Sequence, residues 1–342
     1  MSPELPLRGL VLAAGLGTRL GALSDERPKP LVPVCDVPLI RYAIALLAGH
    51  GVTEIAVNLH HKGELIEREL GTGADLGVAI TYSWEKEILG TGGGIAKLAD
   101  FLTDGGARDF FVVNGKLVVD ADLHALRARH ERTGAVATML IKEVPDAKKW
   151  GAIEIDRDGR VLRIIDKGPR SEAEAPAAHA CMFTGIHVLS PRLVDRLPPT
   201  GESDSIHHAY LPALFDGDRI EGVVHTGYFH EHSTPERYLE GNLNCLYGRA
   251  KIRYAPGPFT GIDPSARVDP TAQIIEPVFI AKDAIVGPGA IVGPGVVVGH
   301  GAEVGANARL ENTILWPHTK ATGTQNQTII TERGTGSPLS GR

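Results

Sequence analysis

The chain has 342 residues, with 35 Lys and Arg against 41 Asp and Glu, for a formal charge of −6. At roughly 150 residues per domain this length suggests two domains, and the acidic balance, with no long basic run, excludes a dedicated nucleic-acid binder. Cys35, Cys181 and Cys245 are too few and too scattered for a disulfide framework or a zinc cluster, and the apolar run near the N-terminus is too short to span a membrane and lacks a cleavage pattern. The expectation is a soluble protein of the cytoplasm with neither nucleic-acid nor membrane partners.

From residue 7 to about 224, short runs rich in Val and Ile alternate with segments of helical period, the pattern of an α/β domain. Strands are expected at 9–14, 54–59, 78–82, 109–113, 136–141 and 153–155, and helices at 38–48, 64–70 and 123–132. Thr234 followed by Pro235 and Glu236 marks a helix start that runs to about Leu246. The linker is placed at 251–260, closing a first domain of 1–250. Beyond it an aliphatic residue recurs every six positions, at Ile262, Val268, Ile274, Ile280, Val286, Val292, Val298, Val304 and Leu310. This hexapeptide repeat is the signature of a parallel β-helix, assigned to 261–331, with three hexapeptides per coil and about three coils. The tail 332–342 is expected to be disordered.

The residues with the most chemistry lie between Leu10 and Val34, where VLAAGLGTRL is followed by RPKPLVPV. A buried strand ends in the turn Gly15-Leu16-Gly17, where a phosphate can approach backbone amides, and Thr18 and Arg19 follow directly. A plain strand-to-helix turn with a solvated Arg19 would read the same way. Lys29 between two prolines tips the balance, because the stiffened loop holds its ammonium in place. Two fixed cations and a ring of amides suit a triphosphate.

These motifs resemble the sugar-phosphate nucleotidyltransferase family, and LGTGGGI (89–95), VVNG (112–115), WGAIEID (150–156), FTGIHVLSP (183–191) and TPERYLEGN (234–242) continue the likeness in order. The whole chain is similar to mannose-1-phosphate guanylyltransferases, which also carry a C-terminal β-helix. Its catalytic half is similar to N-acetylmuramate-1-phosphate uridylyltransferases. The resemblance implies a Rossmann-like α/β domain, with a mostly parallel sheet and helices on both faces, plus a short left-handed parallel β-helix. It also implies the joining of a nucleoside triphosphate (NTP) to a sugar 1-phosphate with release of pyrophosphate, and Mg2+ as cofactor. By it, Ala13, Ala14, Gly15, Gly17, Thr18, Gly92 and Asn114 hold the nucleotide, Gly93, Gly151 and Asp166 hold the sugar phosphate, and Arg19, Lys29 and Lys167 are catalytic.

Asp166-Lys167-Gly168 stands where the family usually has Glu-Lys-Pro, and two further positions depart from the family pattern at the metal. Where relatives have Asn-Gly-Asp, with that Asp on the metal, this chain has Asn114-Gly115-Lys116, and a second metal-binding Asp is replaced by Glu231. Glu231 can ligate a hard cation, whereas Lys116 cannot and would repel it. Lys116 is then a fixed charge standing in for the metal, with weakened turnover, or the mark of a catalytically impaired relative that binds nucleotide or sugar nucleotide as a sensor, or an incidental substitution in an ordinary enzyme. The histidines at 60–61, 207–208 and flanking Glu231 are read as packing or polar residues. With His300 alone at a repeat corner, the β-helix is expected to serve self-association, or pairing with a paralogue, rather than acyl transfer.

Overall fold

The computed structural model describes residues 7–336. Contacts divide them into two compact units. One takes the chain up to Gly15 with Ala43–Gly115 and Ala121–Gly227, and the other takes Leu16–Tyr42, Lys116–Asp120 and the chain from Tyr228 on.

The first unit is a Rossmann-like α/β fold on a nine-stranded mixed sheet. The strands Phe110–Asn114, Leu7–Leu12, Val52–Leu59 and Ala79–Trp84 lie side by side and parallel. The first three are largely apolar and buried, as a sheet covered by helices requires, whereas Ala79–Trp84 lies at the sheet edge and is mostly exposed or half-buried. Helices follow at Leu39–Gly49, Gly63–Leu70, Gly90–Lys97 and Leu123–Thr133, the last capped by the Asp122 side chain on the Ala125 amide. The core joins Leu10, Ala56, Val112 and Met139 to Ile95, Leu102 and Leu214, all buried. Each of the larger of these side chains contributes roughly 1.5–3 kcal/mol by leaving water.

His179–Leu189 extends this sheet antiparallel to Phe110–Asn114, and Ala137–Lys142 pairs with it and, in parallel, with Ile220–Val224. Val161–Ile164 continues the edge through Ile153–Ile155. The three strands Val161–Ile164, His179–Leu189 and Ile220–Val224 were not among those expected. In His179–Leu189 buried polar residues break the apolar pattern and are satisfied internally. Thr184 Oγ1 donates to the Leu140 carbonyl at 2.7 Å, and His187 Nδ1 meets the Tyr210 hydroxyl.

The second unit contains the β-helix, three parallel ladders of short strands whose rungs register Ile262 with Ile280 and Ile280 with Val298, eighteen residues apart. Ile280, Val286, Val292, Val298, Val304 and Leu310 point inward and are buried, whereas Ile262 is 45% exposed at the first turn. Later rungs shorten, with Val298 pairing Leu315 and Leu315 pairing Ile330. The helix therefore continues after the six-residue period is lost. Residues 334–336 form a strand antiparallel to Ile329–Thr331, and the part of the expected disordered tail from 337 onward lies outside the described residues.

A second core in this unit joins the 16–42 segment, the helix Pro235–Leu246 and one face of the β-helix through Leu20, Val32, Tyr238, Leu246, Ile314 and Trp316. Polar groups inside it are matched: Trp316 Nε1 donates to the Tyr238 hydroxyl at 2.9 Å, and that hydroxyl donates to the Pro33 carbonyl at 2.5 Å. Asn242 Oδ1 accepts from the Cys35 amide at 2.8 Å. The loop carrying Lys29 is thus fastened to the Pro235–Leu246 helix and, through Trp316, to the β-helix.

Candidate active site

In the first unit the Leu7–Leu12 strand ends at Ala13 and Ala14, both buried, before Gly15 emerges exposed. Ala13 N donates to Asn58 Oδ1 at 2.7 Å, Asn58 Nδ2 donates to Glu85 Oε1 at 2.8 Å, and Glu85 Oε2 accepts from the Leu89 amide at 3.0 Å. This buried relay ties the strand end to the glycine run that opens the Gly90–Lys97 helix. Asn58 and Glu85 were not singled out from sequence, because an isolated Asn and Glu carry no local pattern.

The glycines make room for the chain itself. A Cβ on Gly90 would lie 2.5 Å from the Ser203 carbonyl oxygen, on Gly93 2.6 Å from the Gly201 carbonyl oxygen, and on Gly94 2.9 Å from Asn58 Nδ2. The amides of Gly92 and Gly93 both donate to the Ser203 carbonyl. Asn114 ends its strand against Gly185, where a Cβ would overlap Asn114 Nδ2. Gly185 has φ +82° and sits at a break in strand register, a position only glycine fills easily. Gly151 stands at φ +75° after a short helical turn. Ile165 and Asp166 form a tight turn with positive φ, closed by Ile164 N to Lys167 O at 2.8 Å and Lys167 N to Ile164 O at 3.0 Å. Asp166 and Lys167 are exposed on it.

In the second unit, Gly17 takes φ +68° and its Cα abuts Lys29, so that a Cβ would come 3.0 Å from Lys29 Cβ. Thr18 and Arg19 are exposed beside it. The strands Leu117–Val119 and Phe229–Glu231 pair antiparallel, with Glu231 opposite Leu117. That register delivers Lys116 to Glu231. Lys116 Nζ lies 2.7 Å from Glu231 Oε1, Arg19 reaches the same oxygen at 3.6 Å and Lys29 Nζ at 3.8 Å. Arg237 Nε donates to the Glu231 carbonyl at 2.9 Å.

The charges act on one another. Burial pushes the Glu231 carboxyl upward, but Lys116, Lys29 and Arg19 outweigh it and hold the group below the usual carboxylate range. Burial and then the like charge of Lys116, with smaller repulsion from Arg19 and Arg237, lower the Lys29 ammonium to about 7 against the pull of Glu231. A phosphate oxygen arriving there would draw a proton onto Lys29. His230 and His232 flank Glu231 on the buried side, their rings 4.8 Å apart, and burial holds both below the ordinary histidine value. Gly241 is required by that packing, since a Cβ there would overlap His232 Nε2.

The divalent ion implied by the resemblance does not fit this donor set. Glu231 is already matched by three cations within 3.8 Å, and Lys116, the nearest of them at 2.7 Å, offers no lone pair to a metal and would repel one. Among the described residues no three His, Cys, Asp or Glu side chains gather to hold a metal. The side chains gathered at Glu231 are cations rather than metal ligands.

The sequence profile of the family described as Nucleotidyl transferase matches residues 8–245. The chain belongs to the nucleotidyl transferase family. Among its relatives within that family is a mannose-1-phosphate guanylyltransferase of Mycobacterium tuberculosis, 32% identical over 243 residues, which cover 70% of this chain and 65% of the relative. The chain therefore matches just under two thirds of that protein. A UTP–glucose-1-phosphate uridylyltransferase of Synechocystis is 29% identical over 281 residues, covering 76% of this chain and 70% of the relative. Among solved structures, HddC from Yersinia pseudotuberculosis superposes with a TM-score of 0.56 at 25% identity, over 69% of this chain and 98% of HddC. No helix among the described residues is long and apolar enough to cross a membrane.

Proposed function

We propose that this chain transfers a nucleotidyl group from an NTP to a sugar 1-phosphate, forming an NDP-sugar and pyrophosphate. The observation that carries the reading is the gathering of Arg19, Lys29 and Lys116 on a single carboxylate, in a family member whose relatives are named for this reaction. In this reading Ala13, Ala14, Gly15, Gly92 and Asn114 take the nucleoside. Gly17, Thr18 and Arg19 take the β- and γ-phosphates, and Lys29 faces the α-phosphate. Gly93, Gly151, Asp166 and Lys167 receive the sugar phosphate. An oxygen of the sugar phosphate attacks the α-phosphorus in line as pyrophosphate leaves, and the cations offset charge on the non-bridging oxygens.

The transfer is assigned to residues 1–250, with 251–260 a linker and the β-helix of 261–331 a scaffold and a surface for pairing with a second copy or a related chain. The Lys116–Glu231 pair favours slow turnover, and a binding or sensing role is the second reading it supports. The test is pyrophosphate release across four NTPs and a panel of sugar 1-phosphates. One pair turned over by the native chain, with loss of at least about a hundredfold in Lys29→Ala, is the expected result. Silence across the panel alongside nucleotide binding would leave the sensing reading in its place.

A further inference from the structure

Three positive side chains converge on one carboxylate, and they are not equally sunk. The Lys29 and Glu231 side chains are only 8% and 14% exposed, whereas those of Lys116 and Arg19 are 31% and 60% exposed. The buried pair forms a floor, and the two outer cations keep donors turned to solvent. An ammonium has three N–H donors and a guanidinium five, so one shared carboxylate oxygen leaves most of them unspent. With Arg237 alongside, the cluster carries more positive charge than Glu231 cancels. Such a surface attracts an anion with several oxygens and repels a divalent cation.

We infer that the Arg19, Lys29 and Lys116 cluster takes a phosphate chain free of divalent metal, the Lys116 ammonium supplying the charge that an ion bridging the phosphates would otherwise supply. This rests on the reading that the chain binds a nucleotide polyphosphate, and deepens it by naming the ionic form of the ligand. The ladder between Leu117–Val119 and Phe229–Glu231 makes Lys116 a fixed part of the site, because it directly precedes Leu117, which pairs with Glu231, and its head is held by the Glu231 carboxylate. Magnesium acts against binding in two ways. It neutralises the phosphate chain in solution, and as the complex it brings a like charge up to Lys116.

Calorimetric titration of the full chain with inorganic tripolyphosphate, in EDTA and then in excess magnesium, tests this. A parallel arm uses GTP and UTP, so that a phosphate-chain site is distinguished from one that needs the base. The native chain is expected to bind tripolyphosphate in EDTA and to lose about tenfold in affinity with magnesium, a change of about 1.4 kcal/mol. Lys116→Met should weaken metal-free binding by a similar factor, Lys116→Arg should restore most of it, and Lys116→Asp should bind only with magnesium. Thermal unfolding of each variant establishes that it is folded. Native binding that requires magnesium, or a folded Lys116→Met that binds like the native chain in EDTA, would overturn the inference. Metal-free binding without any pyrophosphate release in the substrate panel would defeat the transferase reading and leave this one standing.

Discussion

At the scale of single residues, the site depends on a few positions where nothing else fits. Gly17 pairs a left-handed backbone with close contact to Lys29. Gly17→Ala should cost about 1–2 kcal/mol in backbone strain and displace Lys29, so that affinity for tripolyphosphate falls several-fold while the fold persists. Calorimetry beside thermal unfolding would separate the two effects. His187 is a different case, buried against Tyr210, and burial lowers its pKa to about 3. The unfolded chain binds a proton near pH 6.5 that the folded chain refuses, so the stability this histidine contributes is complete above pH 6.5 and is lost as pH falls from there toward 3. Urea unfolding between about pH 7.5 and pH 5 should show a slope approaching about 1.4 kcal/mol per pH unit from this group. His187→Gln should flatten that share. Arg19 and Lys29, which the structure brings to Glu231, and Gly17, which abuts Lys29, were conspicuous in the sequence because glycine, proline and charge stand together in a short window. Asn58, Glu85 and Gly185 were not, since their meaning lies in partners 27 to 71 residues away.

At the scale of elements, the strand and helix periods of the α/β unit and the six-residue repeat could be read directly, because each element buries one face at a fixed spacing. The repeat faded after Leu310 because the turns shorten, although the ladders continue to Ile330. The two-stranded ladder that joins Lys116 to Glu231 could not be read, since three-residue strands have no period. The Lys29 loop is held at element level by the Trp316–Tyr238–Pro33 chain of hydrogen bonds. Tyr238→Phe leaves the Trp316 Nε1 donor and the Pro33 carbonyl without that hydroxyl and should destabilise by about 1–3 kcal/mol. Trp316→Ala should cost about 3–5 kcal/mol. In both variants turnover should fall more than the folded fraction does, measured at a temperature where both remain folded, because the loop carrying Lys29 loses its anchor. Equal losses would make these residues structural only.

At the scale of the molecule, the compact units are assembled from segments remote in sequence, and no local pattern announces such an assembly. The 16–42 segment shares its core with Val297, Ile314, Trp316 and Ile329 of the β-helix. A chain ending before residue 258 would expose that core and should lose the cooperative unfolding transition of its unit. A truncated protein that melted like the full chain would show that the β-helix does not complete this core. The proposed reading gives the Lys116 ammonium the place of a metal in a nucleotidyl transferase site. The most direct measurement is the magnesium dependence of pyrophosphate release by the native chain and by Lys116→Asp, side by side with the same substrate pair. Native turnover should be slow and not accelerated by magnesium, and turnover should become faster and magnesium-dependent once the carboxylate is present. Fast native turnover that vanishes in EDTA would contradict that reading.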